Sequence, residues 1–340
     1  MNWIRAAVGA TLLLAFAAPA SAQQAGTLAT VKQRGHLICG GHIGAPGFSQ
    51  PDSKGDYSGF DSDLCRALAV AIFGDAKAIR FRMLTSQQRL TALQTGEIDV
   101  LIRTTTWSMG RDVGSGLNVT NTTFYDGQGF LVRKKLGIHS AKELSGATIC
   151  VTTGTTNEMN LADWARTNNV RIQPLVIEQN DETQRAYDSG RCDAYTTDAS
   201  QLAGIRTSLA HPDEHVVLPD IISKEPLGPF VRQGDDQWFD LVRWTMFALI
   251  EAEEQGVTSK NVDEMLKSSN PNIQRLLGVT GSFGKSLGVD ERWAYNAIKQ
   301  LGNYGELFEK HLGKSSPLQL ERGLNALWKN GGLQYAPPIR

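Results

Sequence analysis

Cysteine is scarce in this 340-residue chain, neither sign of charge is in excess, and no long apolar run follows the N-terminal segment. Cys39, Cys65, Cys150 and Cys192 form no CxxC pair, which excludes a thioredoxin-type redox motif. With 34 Lys+Arg against 35 Asp+Glu, overall charge draws the protein to neither nucleic acid nor anionic lipid. The later apolar stretch from Trp244 to Ile250 falls short of the ~18 residues needed to span a bilayer, so direct membrane insertion is not expected. Gly40-Gly41-His42-Ile43-Gly44 lacks the Lys-Ser/Thr of a phosphate loop and is not GxGxxG. His211 and His215 are four apart, but Pro212 breaks the helix that could pair them on a metal, so neither a metal nor another cofactor is expected. No Ser-His-Asp order or paired-carboxylate arrangement stands out.

What is present begins with Arg5, the apolar stretch Ala6 to Ala18 and the small-residue end Pro19-Ala20-Ser21-Ala22. This is the layout of a secretory signal cleaved near Ala22, covering residues 1–22, and it implies export. An even cysteine count in an exported chain favours disulfides, with three pairings possible. The cysteines fall into an early and a later pair, each inside one of the two lobes argued below. Cys39–Cys65 and Cys150–Cys192 are therefore the preferred bridges.

Short apolar runs alternate with helical patterns. His36–Cys39, Ile79–Met83 and Glu97–Ile102 read as strands, with helices over Asp63–Ala71 and Gln87–Thr95 between them. After Phe130-Leu131-Val132 and the basic Arg133-Lys134-Lys135 the rhythm restarts, with strands at Thr148–Val151, Pro174–Glu178 and Cys192–Tyr195. Two α/β lobes built on parallel sheets are the simplest account. Asp181 with Gln184 has the shape of a capping box, a long amphipathic helix is expected over Trp238–Glu254, and the chain from about Ser259 reads as largely helical.

Three strands end in threonine clusters: Thr104-Thr105-Thr106, Thr152-Thr153-Gly154-Thr155-Thr156 and Thr196-Thr197-Asp198. In open parallel sheets ligands bind beyond the carboxyl ends of the strands, so these clusters are expected to face one another across a cleft. Each cluster alone also fits ordinary strand-to-helix turns. Strand alternation puts Thr104 and Thr106 on one side and Thr105 on the other, and Trp107 reads as a wall or core ring. Arg111 can offer a planar fork to a carboxylate, supported by hydroxyls and the helix-opening turn at Thr155-Thr156, while Asp198 can accept from an ammonium. Together they fit a zwitterion such as an α-amino acid. The competing readings are a salt bridge from Arg111 to Asp112 and an N-cap role for Asp198.

The segments GFDSDLCRAL (59–68), ALQTGEIDVLIRTTTWSMGRD (92–112), YDGQGF (125–130), CVTTGTTNE (150–158) and GRCDAYTTD (190–198) resemble the amino-acid solute-binding proteins of bacterial ABC transporters. SKEPLGP (223–229), RQGDDQWFDLVRW (232–244) and RGLNALWKNGGLQYAPPIR (322–340) are similar to the general L-amino-acid-binding periplasmic subgroup. The resemblance implies a two-lobed clamshell. Residues 27–132 and 228–340 form lobe 1 with its C-terminal helical extension, residues 137–223 form lobe 2, and two crossing hinge strands lie near 133–136 and 224–227. It implies a periplasmic monomer that binds L-amino acids with broad specificity and delivers them to a membrane permease. Arg111, Thr106, Thr155 and Thr156 are then the carboxylate site, Asp198 the ammonium site, and Thr104 part of the pocket lining.

The subgroup usually carries Asn at the position of Thr104 and Asn or a small polar residue at that of His42. Both departures are expected to bear on side-chain specificity, with His42 either a ligand-contacting imidazole or a loop histidine. The same fold also resembles periplasmic cyclohexadienyl dehydratases, so an enzyme using Asp198 or Glu158 as its acid is the alternative reading.

Overall fold

Residues 26–340 are described by the computed structural model, so the expected export signal and its cleavage point lie outside the described residues. The first lobe contains β1 (Leu37–His42), the hairpin strands β2 (Gln50–Pro51) and β3 (Tyr57–Ser58), β4 (Ile79–Leu84), β5 (Val100–Leu101) and β6 (Leu117–Val119). β7 (Phe124–Asp126) leaves it. The second lobe contains β8 (Gln128–Arg133), β9 (Thr148–Thr152), β10 (Gln173–Ile177), β11 (Ala194–Asp198) and β12 (His215–Val217). β13 (Glu225–Leu227) then returns, and β14 (Phe230–Arg232) rejoins the first sheet.

The two sheets have the same design, in the orders β4-β1-β5-β14-β6 and β10-β9-β11-β8-β12. Three strands of each are parallel, as the alternating pattern predicts. β14 and β8 run antiparallel to their neighbours. Each of these has just crossed from the other lobe and so enters its sheet from the opposite end. Apolar side chains cover both faces of each sheet, which is why the parallel strands read as continuous apolar runs.

The crossing differs from the sequence expectation. Phe130-Leu131-Val132, expected to close the first lobe, belongs to β8, whose register pairs Gln128 with Asp198 and Val132 with Ala194 in the second sheet. Residues 134–136, expected as a hinge segment, form a 3-10 turn that closes at Gly137 with φ +66. The hinge is instead β7 paired antiparallel with β13, close to the expected second crossing. Arg133, the first residue of the expected hinge segment, donates to the carbonyl of Cys192 and lies over the Tyr187 ring, which fixes it inside the second lobe.

Two further expectations change. Asp181 and Gln184 form no capping box; the helix runs over Asn180–Asp188 behind Gln179, and Asp181 pairs with Arg185 one turn on. Helices of the C-terminal extension end at His311, and the remainder is largely irregular apart from short 3-10 turns at Gly323–Asn325 and Trp328–Asn330. The long helix spans Asp236–Glu254, with the Asp235 side chain accepting from the Trp238 backbone N–H at its start. No helix among the described residues is long and apolar enough to cross a membrane.

The extension is part of the first lobe's core. Tyr304 stands edge-on to Phe60 at 5.5 Å, and Phe308 stacks on Phe124 at 6.2 Å. It also holds the hinge. Asn325 accepts from the Tyr125 N–H at 2.7 Å and donates to the Tyr125 carbonyl at 3.0 Å, while Tyr304 and Gln334 both donate to the Thr123 carbonyl.

Both expected disulfides form, Cys39–Cys65 joining β1 to the helix Phe60–Phe73 and Cys150–Cys192 joining β9 to the turn before β11. They close 26 and 42 residues of chain. On the chain-entropy argument each contributes roughly 3 to 4 kcal/mol. Replacing Cys150 and Cys192 together by Ser is expected to lower unfolding stability by about 3 kcal/mol in a urea titration under non-reducing conditions; an unchanged midpoint would contradict this.

Candidate functional site

The strand ends of both lobes converge on one small cavity of about 20 Å³. A single water needs ~10–15 Å³ on that measure, so the lobes are shut almost completely on the site. Its walls are closed by contact between the lobes. Thr106 and Thr156 bring their hydroxyls within 3.2 Å of each other, and a Cβ on Gly154 would lie 2.8 Å from Gln87. Gly154 also has φ +72, so glycine serves both the backbone turn and the close approach of the lobes.

Thr104 and Thr106 line the cavity, whereas Thr105 is fully buried and donates to the Arg103 carbonyl. The division matches strand alternation but has another cause. β5 ends at Leu101, and Thr104 has φ +37, a strained backbone for a β-branched residue. The Asp61 carboxylate accepts from the Thr104 N–H at 2.8 Å and holds that turn. Burial drives the Asp61 pKa up to about 7, against the pull of the Thr104 bond and of Arg103.

In the second lobe, Thr155 caps the helix Thr156–Thr167 by accepting from the Glu158 N–H. Thr156 at the first helical position is buried, and both residues line the cavity. Asp198 ends β11 and precedes the helix Ala199–Thr207, but its side chain makes no cap bond. It accepts at 3.0 Å from each of the Asn157 and Gln201 amides inside the cavity wall. Burial, with Asp126 and Glu225 nearby, raises its pKa well above the carboxylate range. A cation arriving there would therefore be held by a group that gains from its charge.

His42, at the end of β1, is buried in the lining, and its Nδ1 accepts from the Gly44 N–H at 3.0 Å. Burial and then the guanidinium groups of Arg103 and Arg89 push its pKa down, so the neutral ring carries its proton on Nε2. Arg111 does not line this cavity. Its Nη1 donates to the Thr106 carbonyl at 3.0 Å, and Asp112 bonds the Trp107 indole instead of Arg111. Trp107 is neither wall nor core, being 41% exposed.

Several residues in or beside the site escaped sequence reasoning. Arg89 and Arg103 line the cavity and are buried, as are Asn157 and Gln201. Arg103 donates to the Leu84 carbonyl, and burial lowers its pKa to about 9. Glu225 in hinge strand β13 is wholly buried and accepts from Thr106 of the first lobe, from Thr156 and Asn160 of the second, and from Ser223. Arg89 reads in the sequence as the solvated face of an amphipathic helix, and Glu225 as one charge in a Pro/Gly turn. Neither carries a local signal.

Two α/β lobes closed around a polar cavity, with guanidinium and carboxylate groups in and behind its walls, define a clamshell receptor for a small charged solute. The chain belongs to the bacterial extracellular solute-binding proteins, family 3, whose model matches residues 37–265. It is 55% identical over 339 residues to the general L-amino acid-binding periplasmic protein AapJ of Rhizobium johnstonii, covering 99% of this chain and 98% of the relative. It is 52% identical over 322 residues to the glutamate/glutamine/aspartate/asparagine-binding protein BztA of Rhodobacter capsulatus, covering 94% and 95%. A solved periplasmic binding protein of an ABC transporter from Brucella ovis, with glutathione bound, superposes with a TM-score of 0.91 at 55% identity, over 93% of this chain and 100% of that one.

The Asp61 arrangement has a measurable consequence. Because its folded pKa lies above the usual value, the folded protein keeps a proton that the unfolded chain loses, so stability falls as pH rises from about 4 to about 7. Asp126, raised to about 6 mainly by burial, acts in the same direction. Asp61→Asn keeps an acceptor for the Thr104 N–H and removes the charge. It is expected to gain up to roughly 4 kcal/mol over wild type at pH 8 and almost nothing at pH 4, read from urea midpoints at the two pH values. A gain independent of pH would contradict the assignment.

Proposed function

We propose that this protein captures L-amino acids as zwitterions between its lobes and presents the closed form to the membrane permease of an ABC transporter. The amino-acid-binding role, its periplasmic setting and the absence of catalysis follow from the family. Export by cleavage near Ala22 is the finer part of the same reading.

The observation that carries the residue assignment is Asp198, a buried carboxylate whose ionisation is opposed by its surroundings and which lines the same cavity as the hydroxyls of both lobes. Asp198 takes the ammonium. Arg111, which stands behind the lining with its Nη1 on the Thr106 carbonyl and within the electrostatic reach of Glu225 and Asp198, turns inward to take the α-carboxylate together with Thr106, Thr155 and Thr156, while Thr104 and His42 complete the wall. Because Thr106 and Thr156 come from different lobes, a group bonded to both is fully held only when the cleft is shut. The ligand thus shifts the population toward the closed state. A micromolar ligand has about 8 kcal/mol in total, and charge-assisted bonds of roughly 1.5 to 3 kcal/mol each can supply much of it.

The enzymatic alternative is set aside by the family, and Glu158 is engaged by the Thr153 hydroxyl and the Gly154 N–H. A grip on the charges common to all amino acids is what makes specificity broad.

Calorimetric titration with the common L-amino acids is expected to give one site per chain and unchanged ligand on recovery. Arg111→Met and Asp198→Asn are each expected to weaken every bound amino acid by ~100-fold, the weight of a charge-assisted contact. If Arg111→Met binds as wild type does, the carboxylate assignment is wrong; if wild type binds no amino acid, the whole reading fails.

A further inference from the structure

The hydroxyls assigned to the ligand's carboxylate already serve a carboxylate of the chain itself. Glu225 in β13 is wholly buried, and its Oε2 accepts from the Thr106 hydroxyl of the first lobe and, at 2.8 Å, from the Thr156 hydroxyl of the second. A threonine hydroxyl carries one proton, so while both protons point at Glu225 neither hydroxyl can donate to a guest. The charge on Arg111, which burial opposes, is favoured first by the same Glu225 and then by Asp198. Three groups of the proposed carboxylate site, Thr106, Thr156 and Arg111, therefore all act on one internal carboxylate.

The elements that carry these groups give the contact a direction. A backbone bridge joins Thr106 to Leu227 at the end of β13, so Glu225 moves with the first lobe. Thr156 and Asn160 stand one turn apart on the helix Thr156–Thr167 of the second lobe, and Asn160 donates to the other carboxylate oxygen, Oε1, at 2.7 Å. Opening the cleft therefore breaks two hydrogen bonds to a buried carboxylate, one at each oxygen. A bond of that kind is worth roughly 10- to 100-fold in an equilibrium constant. With both in place the space left at the strand ends is about 20 Å³, room for a water and not for an amino acid.

We propose that Glu225 is an internal latch that stands in for the ligand's carboxylate: it biases the cleft toward closure by bonding hydroxyls of both lobes, and an incoming ligand displaces it from Thr106 and Thr156. The proposal rests on the assignment of those hydroxyls to the ligand's carboxylate. Displacement exchanges one carboxylate acceptor for another, so the latch lowers affinity and adds nothing to the grip. Ser223, two residues before Glu225 in the chain, donates to Oε1 and is close enough to stay with it when the hydroxyls turn to the guest.

The test compares wild type, Glu225→Ala and Glu225→Gln by small-angle X-ray scattering with and without L-alanine or L-glutamate, and by calorimetric titration with the same two amino acids. Each variant is first checked for a wild-type circular dichroism spectrum. With no amino acid added, Glu225→Ala is expected to have a larger radius of gyration than wild type, with Glu225→Gln between, and all three are expected to converge at saturation. Glu225→Ala is expected to lower the Kd for both amino acids by roughly 10-fold, where the loss of a merely structural contact would raise it. Equal radii for wild type and Glu225→Ala before ligand is added overturn the latch while amino-acid binding stands. So does a Glu225→Ala protein that binds both amino acids no more tightly than wild type. If wild type binds neither amino acid, the underlying reading fails and the latch with it. Should Glu225→Ala not fold, Glu225→Gln decides by the same two signs, a larger radius and a lower Kd.

Discussion

Everything about this cleft passes through the Glu225 carboxylate. One oxygen accepts from Thr106 and Thr156, which belong to different lobes, and the other from Asn160 and Ser223. A buried carboxylate with four donors is satisfied only while those donors stay together, so the hinge strand itself records whether the lobes are apposed. Its neighbour across the strand pair is Asp126, another acid directly opposite in the register. Like charges so placed repel, and burial with that repulsion raises Asp126 to about 6, while Ser200 on the second lobe's helix Ala199–Thr207 donates to it. Two acids that are unfavourable as a pair are thus each tied to groups that meet in the closed form.

The same desolvation shapes the rest of the site. Three guanidinium groups, Arg89, Arg103 and Arg111, are held where burial opposes their charge, and Arg111 lowers the basicity of both others while Arg103 adds to the effect on Arg89. His42 is pressed to neutrality by burial first and then by two of them. On the acidic side, Asp61 and Asp198 are pushed up. A small solute carrying both signs of charge relieves both groups at once, which a neutral sugar or a simple cation cannot do. The strained backbone at Thr104 lies beyond the end of β5, where the bond to Asp61 rather than a strand ladder holds Thr104 in the cavity wall.

How much of this was legible in the sequence depends on whether its cause is local. Parallel strands covered on both faces announce themselves as apolar runs, and their threonine-rich ends mark the cleft, so the lobes, the disulfides and the lining positions Thr104, Thr106, Thr155, Thr156 and Asp198 could be read from the chain. Membership of β8 could not. Whether Phe130-Leu131-Val132 joins the first or the second sheet is decided by pairing with Ala194–Asp198, more than sixty residues away. Arg89 and Glu225 were invisible for a related reason: their burial is created by the other lobe or by the hinge, and no periodicity records that. Arg111, the most conspicuous residue in its segment, lies outside the cavity lining, because the short helix Met109–Val113 turns its guanidinium to the Thr106 carbonyl.

The long C-terminal extension explains how such a cleft can move without losing its geometry. Strand β7 is bonded on one edge to β13 and on the other to the Asn325 side chain, while Thr123 just before it receives Tyr304 and Gln334. Strand β13 is bonded on its far side to the first lobe, where the Trp107 N–H donates to the Pro226 carbonyl and the Gly228 N–H to that of Thr105. Both hinge strands are therefore fastened to one frame, made of the first lobe and the extension. The chain passes from that frame to the second lobe only at Gly127 and at Ser223–Lys224. At Gly127 a Cβ would lie 2.9 Å from the Ser223 carbonyl and closer still to Ile221, so the two crossings touch and glycine is needed for them to do so. Rotation of the second lobe about two adjoining backbone crossings, against a braced frame, carries Thr156 and Asp198 as one body toward Thr106. Closure then preserves the spacing within each lobe and changes only the distance between them, which is the quantity a zwitterion spanning the cleft can read.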